Sequence, residues 1–202
     1  MSSNIIFITG PTCSGKTTIK KYLLENIKDS KNLLLNTTRP IRDGEIDGVD
    51  YNFDIDENLA EYIKSNRLFE YIMYETSHGN WWYYTLKNSI KDNNTYIISA
   101  SIDTLFRYYK NILNLDMVVR IIPIVLETEK ETIEKRYKQR QSDNQDDPEI
   151  ERRINSDIEK YKKYEYLIEK IVLYDNIFLN TGEKDLNELC EHISNRVTEI
   201  IG

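Results

Sequence analysis

The sequence has few cysteines, no long apolar run and no excess of positive charge, and each absence argues against a class of protein. Its two cysteines, Cys13 and Cys190, stand near opposite ends of the chain, so neither a disulfide framework nor a zinc-binding spacing is present. No run approaches the roughly eighteen apolar residues of a transmembrane helix, so we expect no membrane partner. The formal net charge of −7 argues against nucleic acid as the main partner.

The remaining composition is that of an ordinary globular protein. With 202 residues, 40% hydrophobic and 30% charged, the chain is long enough for one domain with a real core. The first residues lack the basic-then-apolar pattern of a signal peptide, so we expect a cytoplasmic protein. A small anionic substrate remains compatible with the negative charge, because a local cluster of arginines can outweigh the overall sign.

Residues 10–17 read GPTCSGKT and match G-x-x-x-x-G-K-[ST], the pattern of a phosphate-binding P-loop. The apolar run at residues 4–9 predicts a buried parallel strand before the loop, and a helical pattern follows from Thr18. The motif therefore lies between a strand and a helix, where such a loop is found.

The residue types of this loop suit an anion. Gly10 and Gly15 let the backbone direct consecutive N–H groups at one phosphate, and the following helix adds its partially positive N-terminus. Lys16 can reach the outer phosphates, and the Thr17 hydroxyl can ligate Mg²⁺. The predicted nucleotide-binding residues of the loop are Gly10, Pro11, Thr12, Cys13, Ser14, Gly15, Lys16, Thr17 and Thr18.

Strand and helix patterns alternate along the rest of the chain. Further strands are predicted at residues 33–35, 68–74, 81–85, 95–99, 117–125 and 177–179. Pro123 favours an edge position or a bulge for its strand. Alternation behind a P-loop implies an α/β fold of three layers, with a parallel sheet between helices. The strands at 68–74 and 81–85 predict a small hairpin-bearing subdomain, and a helix, a polar loop and a second helix predict a lid.

Residues 37–53 read TTRPIRDGEIDGVDYNF, and this run resembles the guanylate kinase family, which carries T-T-R-x-x-R-x-G-E-x-x-G-x-D-Y-x-F after its P-loop. The resemblance continues through residues 68–71, the arginine pair on the charged helix and Asn180, so it covers nearly the whole chain. It implies one domain over residues 1–202, with a core at about 1–35, 95–135 and 171–202, a monophosphate-binding subdomain at about 36–92 and a lid at about 136–155.

The resemblance also implies a role for particular residues. Arg39, Arg42, Tyr51 and Tyr83 would hold the phosphate of an acceptor nucleoside monophosphate. Glu70 would accept hydrogen bonds from the guanine N1 and N2 groups, with Thr85 near O6, and Ser99 and Ser101 would be further substrate-binding residues. Arg136, Arg140 and Arg153 would close over the phosphates of ATP, with Asn180 near the adenine. Planar guanidinium groups suit the charge that develops on phosphate oxygens during transfer, so the predicted catalytic residues are Lys16, Arg39, Arg136, Arg140 and Arg153.

The sequence departs from the family around the acceptor base. Ser99 and Ser101 stand where the family has the two aspartates of a D-x-D run, and Leu35 stands where a serine is frequent. The turn before Thr85 is longer than in the family, so Trp82 is an alternative to Tyr83 as the phosphate-binding residue.

The predicted function is therefore an ATP- and Mg²⁺-dependent nucleoside monophosphate kinase, a monomer or homodimer, acting on GMP or dGMP. A first alternative is the same reaction on another nucleotide, including a pyrimidine or a modified base, because the aspartates are missing. A second is a binding module without catalysis, although such modules tend to lose the P-loop residues that are present here.

Overall fold

The computed structural model describes residues 2–76, 79–140, 148–172, 176–180 and 186–202, in which nine strands and six helices are found. In chain order they are β1 (Ser2–Thr9), α1 (Lys16–Asn26), β2 (Ser30–Asn32), β3 (Asn36–Thr37), β4 (Asn52–Phe53), α2 (Asp56–Lys64), β5 (Leu68–Thr76), β6 (Gly79–Leu86), β7 (Thr95–Ser99), α3 (Ile102–Asn111), β8 (Val118–Glu127), α4 (Lys130–Arg140), α5 (Pro148–Ile171), β9 (Ile177–Leu179) and α6 (Leu186–Ile201).

Strand β1 is the centre of a five-stranded parallel sheet in the order β2-β7-β1-β8-β9. Side chains alternate across a strand, so Ile5 and Phe7 pack with residues of α3 and α5 on one face, while Ile6 and Ile8 pack with α1 and α6 on the other. All four are fully buried, which explains why residues 5–8 of β1 are all apolar. The predicted α/β fold, a parallel sheet between two helical layers, is confirmed.

A second sheet of four strands, in the order β4-β3-β6-β5, packs against α3. Its main part is the antiparallel hairpin of β5 and β6, which pairs from Leu68 opposite Leu86 to Thr76 opposite Gly79. Phe69 of β5 meets Tyr108 of α3 edge to face, with ring centroids 4.9 Å apart. The predicted strands 68–74 and 81–85 are therefore present, and each is longer than the sequence indicated.

Helix α5 is the longest element, with 24 residues, and it begins at Pro148. It packs on α3, where the rings of Phe106 and Tyr164 stack with centroids 4.4 Å apart. Residues 141–147, the polar loop of the predicted lid, lie outside the described residues. None of the helices in the described segments has the length and apolar character needed to cross a membrane.

The strand predicted at residues 33–35 is wrong in position, since β2 ends at Asn32. Leu33 makes one more ladder bond, from its N–H to the carbonyl of Ile97 at 3.0 Å, and the chain then leaves the sheet for β3. Leu33 and Leu35 are buried, so their apolar character comes from packing rather than from strand pairing.

The edge position predicted from Pro123 is also wrong, because β8 lies between β1 and β9. Pro123 stands opposite Phe7 of β1, while the described part of β9 pairs only with residues 125–127 of β8. Over the described residues, the missing N–H of Pro123 therefore falls on a stretch of β8 that has no β9 partner.

Candidate active site

The P-loop connects the carboxyl end of β1 to the first residue of α1. Cys13 and Gly15 adopt left-handed backbone conformations, with φ of 57° and 93°. A Cβ on Gly10 would lie 2.6 Å from the Ser14 Oγ and 2.9 Å from the carbonyl oxygen of Leu126, so only glycine is accommodated there. The first turn of α1 contains no acidic side chain, which leaves its positive N-terminus available to an anion.

Lys16 lies across this loop. Its Nζ donates hydrogen bonds to the carbonyl oxygens of Gly10 at 2.9 Å and Pro11 at 2.6 Å. Thr17 follows it in the first turn of α1 and is exposed, and both residues line the cleft that opens above the loop. Thr18 is also exposed on α1 but does not line that cleft.

A carboxylate that sequence reasoning missed is bonded to the loop. Asp157 of α5 accepts a hydrogen bond from the backbone N–H of Thr12 at 2.6 Å. This N–H belongs to the loop that the sequence predicts to bind phosphate, so in this structure the Asp157 carboxylate occupies one donor of the predicted binding loop. Asp157, Lys160 and Tyr161 are spaced three and four residues apart on one helix face, which is the signal that could have revealed them.

Asn180 and Arg136 also form hydrogen bonds with the backbone of this loop. The Asn180 Nδ2 donates to the carbonyl oxygen of Ser14 at 2.9 Å, and its Oδ1 accepts from Arg136 Nη2 at 2.7 Å. Arg136 Nη1 also donates to the carbonyl oxygen of Cys13 at 3.1 Å. Both predicted residues therefore contact the P-loop backbone. The side chains of the other two lid arginines, Arg140 and Arg153, lie outside the described part of the structure.

The cleft above the loop is a cavity of about 330 Å³ between the two sheets and α5. It brings together residues of the P-loop and residues predicted to bind the acceptor nucleotide. The residues that line it are Gly10, Thr12, Lys16, Thr17, Leu35, Arg42, Tyr51, Tyr74, Thr76, Trp81, Tyr83, Ser99, Ala100, Ser101, Thr104, Ser156, Asp157 and Lys160.

Arg39 lies beside this cleft and is only 3% exposed. It forms a two-pronged ion pair with Glu45, with N···O distances of 2.8 and 2.9 Å, and its Nε donates to the Tyr83 hydroxyl at 3.2 Å. Burial disfavours the charges of both partners, yet the hydrogen bonds between them outweigh it, raising the pKa of Arg39 and lowering the pKa of Glu45. Glu45 is a second residue that sequence reasoning did not single out.

The hairpin presents Tyr83 and Trp82 to opposite sides. Tyr83 lines the cleft, with its ring 5.9 Å from that of Tyr51, whereas Trp82 does not line it and packs 5.9 Å from Tyr71. This follows from the alternation of side chains along β6. Of the two alternatives for the phosphate-binding residue, Tyr83 is the one beside Arg42 and Tyr51.

Glu70 and Thr85 do not line the cleft. Glu70 is 2% exposed and accepts a hydrogen bond from the Thr85 hydroxyl at 3.1 Å, and that hydroxyl also bonds with the Tyr108 hydroxyl at 2.7 Å. The second carboxylate oxygen of Glu70 is buried without a hydrogen-bond partner. Burial, partly offset by the Thr85 bond and the charge of Arg107, raises the pKa of Glu70 to about 8.

The oxygens near Lys16 suit Mg²⁺. The Thr17 hydroxyl, the Ser99 hydroxyl and the Asp157 carboxylate are hard ligands, and Mg²⁺ is usually held by one or two such groups together with substrate phosphates. Over the residues that the structure describes, no three His, Cys, Asp or Glu side chains group together to hold a metal on their own. An ion here would therefore need the phosphates of a nucleotide as further ligands.

Comparison with known proteins places this arrangement in a family. The guanylate kinase family profile matches residues 2–199. A guanylate kinase of Mesomycoplasma hyopneumoniae is 32% identical over 192 residues, covering 87% of this chain and 88% of its own length. That of Helicobacter pylori is 29% identical over 185 residues, with 85% and 88% covered.

The solved structures include a guanylate kinase from Anaplasma phagocytophilum that aligns with a TM-score of 0.62 at 17% identity. The alignment covers 97% of this chain and 85% of that one, and at this identity it supports the fold alone. Since the family profile spans almost every residue, the chain belongs to the guanylate kinase family and, with it, to the nucleoside monophosphate kinases, which are phosphotransferases.

Proposed function

We propose that this protein transfers the γ-phosphate of ATP to GMP or dGMP. The observation that carries the proposal is that the P-loop residues Lys16 and Thr17 and the acceptor-side residues Arg42, Tyr51 and Tyr83 line one cleft. Phosphoryl transfer requires two phosphate-bearing substrates to meet in line, and a cleft with phosphate-binding groups on both sides provides that meeting.

The ATP side consists of the loop and its helix. The loop N–H groups and Lys16 neutralise the phosphates, and the Thr17 hydroxyl would hold a Mg²⁺ ion. Mg²⁺ supplies additional charge neutralisation at the transferred group when it is bound. Asn180 and Arg136, which bond to the loop backbone, keep the loop in shape, and Arg136, Arg140 and Arg153 carry the positive charge of the lid.

On the acceptor side, Arg42, Tyr51 and Tyr83 bind the monophosphate. Arg39, which is paired with Glu45, orients Tyr83 through its hydrogen bond. Positioning and electrostatics supply most of the catalysis in this reaction, so no side-chain nucleophile is needed. Closure of the lid at about residues 136–155 over the subdomain at about residues 36–92 would exclude water and limit wasteful hydrolysis of ATP.

One observation favours a second candidate, the same reaction on a different nucleoside monophosphate. Ser99 and Ser101 line the cleft where the family has carboxylates, and Glu70 is buried behind Thr85 rather than exposed to the cleft. A pyrimidine or modified base could use such a hydroxyl-lined wall. We propose a cytoplasmic monomer or homodimer for either candidate.

The test is ADP formation from ATP and Mg²⁺ with each common ribo- and deoxyribonucleoside monophosphate in turn. We expect turnover with GMP or dGMP, and loss of turnover in Lys16→Ala with an unchanged circular dichroism spectrum, because Lys16 lines the cleft and is not part of the apolar core. Turnover with another base alone would select the second candidate. No turnover on any monophosphate would overturn the kinase proposal and leave a binding module.

A further inference from the structure

The hydroxyl-lined end of the cleft also contains a cation, Lys160, that none of the phosphate-binding roles above includes. Lys160 projects from α5, and four charged side chains line the cleft among the described residues: Lys16, Arg42, Asp157 and Lys160. Lys16 lies on the P-loop carbonyls and Asp157 on the Thr12 N–H. Lys160 instead contacts Asp103 and the Tyr74 ring, and the Tyr74 hydroxyl bonds with Ser101.

The contacts of Lys160 are weak. Its Nζ lies 3.5 Å from Asp103 Oδ2 and 4.6 Å from the centroid of the Tyr74 ring. A charge-assisted N–H···O bond is normally about 2.7 to 2.9 Å long, so the ion pair is loose. Asp103 also has a better partner, because its Oδ1 accepts from the Tyr164 hydroxyl at 2.9 Å. An ammonium group has three N–H donors, so Lys160 retains donor capacity toward the cleft.

The neighbouring hydroxyl groups have less free hydrogen-bonding capacity. Ser101 Oγ bonds with the Tyr74 hydroxyl at 2.8 Å and with Thr104 Oγ1 at 3.1 Å, and it also accepts from the Thr104 N–H at 3.4 Å. As the N-cap of α3 it is held in this network. Ser101, at the position of the second family aspartate, therefore already uses its hydroxyl in hydrogen bonds within the protein. The Lys160 ammonium, by contrast, is available to a ligand.

We propose that Lys160 is a specificity-determining residue that donates a hydrogen bond to a keto oxygen on the acceptor base. This inference rests on the proposed kinase function. An ammonium group has no acceptor, so it recognises a carbonyl oxygen and rejects an amino group in the same place, which would leave two donors facing each other. The accepted bases are then keto bases, guanine through O6 or thymine and uracil through O4, and adenine and cytosine are disfavoured.

The experiment compares kcat and KM of the wild type and Lys160→Met for dGMP, dTMP, dUMP, dAMP and dCMP, together with calorimetric binding of each acceptor. We expect Lys160→Met to lose about tenfold to hundredfold in kcat/KM for the preferred keto acceptor, mainly through KM, as is typical of a lost hydrogen bond to a charged group. The KM for ATP should be unchanged, and selectivity against dAMP and dCMP should fall. Comparison of dGMP with dTMP and dUMP separates the purine O6 from the pyrimidine O4.

Three further variants separate base recognition from a structural role. Lys160→Arg should restore part of the selectivity, because it retains the donors. Asp103→Asn removes the ion pair and leaves the ammonium, so its base preference should match the wild type. Lys163→Met, on the exposed side of the same helix, controls for the loss of one positive charge.

Two results would overturn the assignment: an equal loss by Lys160→Met on all acceptors, or the same loss of selectivity in Asp103→Asn. The same loss in Asp103→Asn would mean that the ion pair acts by holding α5 against α3. If the wild type binds monophosphates but does not phosphorylate them, the kinase proposal fails, and the binding constants of the wild type and Lys160→Met still decide the role of Lys160.

Discussion

At the scale of single residues, Glu70 shows how burial alters a side chain that looks ordinary in the sequence. Strand alternation predicts that Phe69 and Glu70 face opposite sides, yet both are buried. The pairing of β5 with β6 shifts register between Leu68 and Glu70, and a bulge of this kind changes the direction of the side chains next to it. A bulge depends on the partner strand, so its effect could not be read from residues 68–71 alone.

The raised pKa of Glu70 makes stability depend on pH. The folded protein holds the Glu70 proton up to about pH 8, while the unfolded chain releases it near an ordinary glutamate pKa of about 4.3. Between these values the folded state binds more protons than the unfolded state. The contribution of Glu70 to the free energy of unfolding therefore falls as pH rises through this window, and it levels off above it.

We predict that Glu70→Gln removes this dependence. At pH 5 the variant and the wild type should have similar melting temperatures, and at pH 8 the variant should be the more stable by a few kcal/mol, at about 1.4 kcal/mol per pKa unit. Thermal unfolding followed by circular dichroism at both pH values measures the difference. Glu75→Gln, an exposed position of the same strand, is the control. A stability difference that is the same at both pH values would contradict the prediction.

At the scale of elements, the P-loop is contacted by donors that bind its carbonyl oxygens and by a carboxylate that binds one of its N–H groups. Arg136 and Asn180 bond to its carbonyl oxygens, while Asp157 of α5 takes its Thr12 N–H. Strand β1, the loop and α1 could be predicted because their glycines and apolar residues act locally. The contacts of α5 with the loop span 145 residues of sequence, so no local pattern could give them.

We predict that Asp157→Asn binds ATP more tightly than the wild type in the absence of Mg²⁺. The wild-type carboxylate competes with phosphate for the Thr12 N–H and repels it. Removal of about 1 kcal/mol of this unfavourable interaction should lower the Kd for ATP by about threefold to tenfold. Isothermal titration calorimetry with ATP and EDTA measures it. Glu159→Gln, an exposed carboxylate of the same helix, should leave the affinity unchanged. An affinity in Asp157→Asn that is unchanged or lower would show that the carboxylate does not compete.

At the scale of the whole molecule, alternation of strand and helix patterns behind a P-loop was enough to predict the three-layer fold. The errors lay where packing overrides local signals. Leu33 and Leu35 are apolar because they are buried beside the sheet, and Pro123 is accommodated in an inner strand because the described part of β9 is short. The sequence could predict that P-loop residues and Arg42, Tyr51 and Tyr83 belong to one site, and they do line one cleft. The binding roles of these residues stay predictions.

The rest of the site depends on how the two sheets and α5 meet. The overall charge is −7, yet among the described residues three of the four charged side chains that line the cleft are cations. The cleft is therefore locally positive despite the negative charge of the protein as a whole, which would favour phosphate-bearing ligands. Lys160 and Asp157 come from a helix far along the chain, so their place in the wall of the cleft that Lys16 and Ser101 also line follows only from the folded structure.

The most direct test of the proposed kinase function follows the γ-phosphate itself. The protein is incubated with ATP labelled with ³²P at the γ-position, Mg²⁺ and unlabelled GMP or dGMP, and the products are separated by chromatography. We predict that the label appears in the corresponding nucleoside diphosphate, with little in inorganic phosphate, and that Lys16→Ala gives neither product. Label released only as inorganic phosphate, or retained in ATP with every monophosphate tried, would contradict a nucleoside monophosphate kinase.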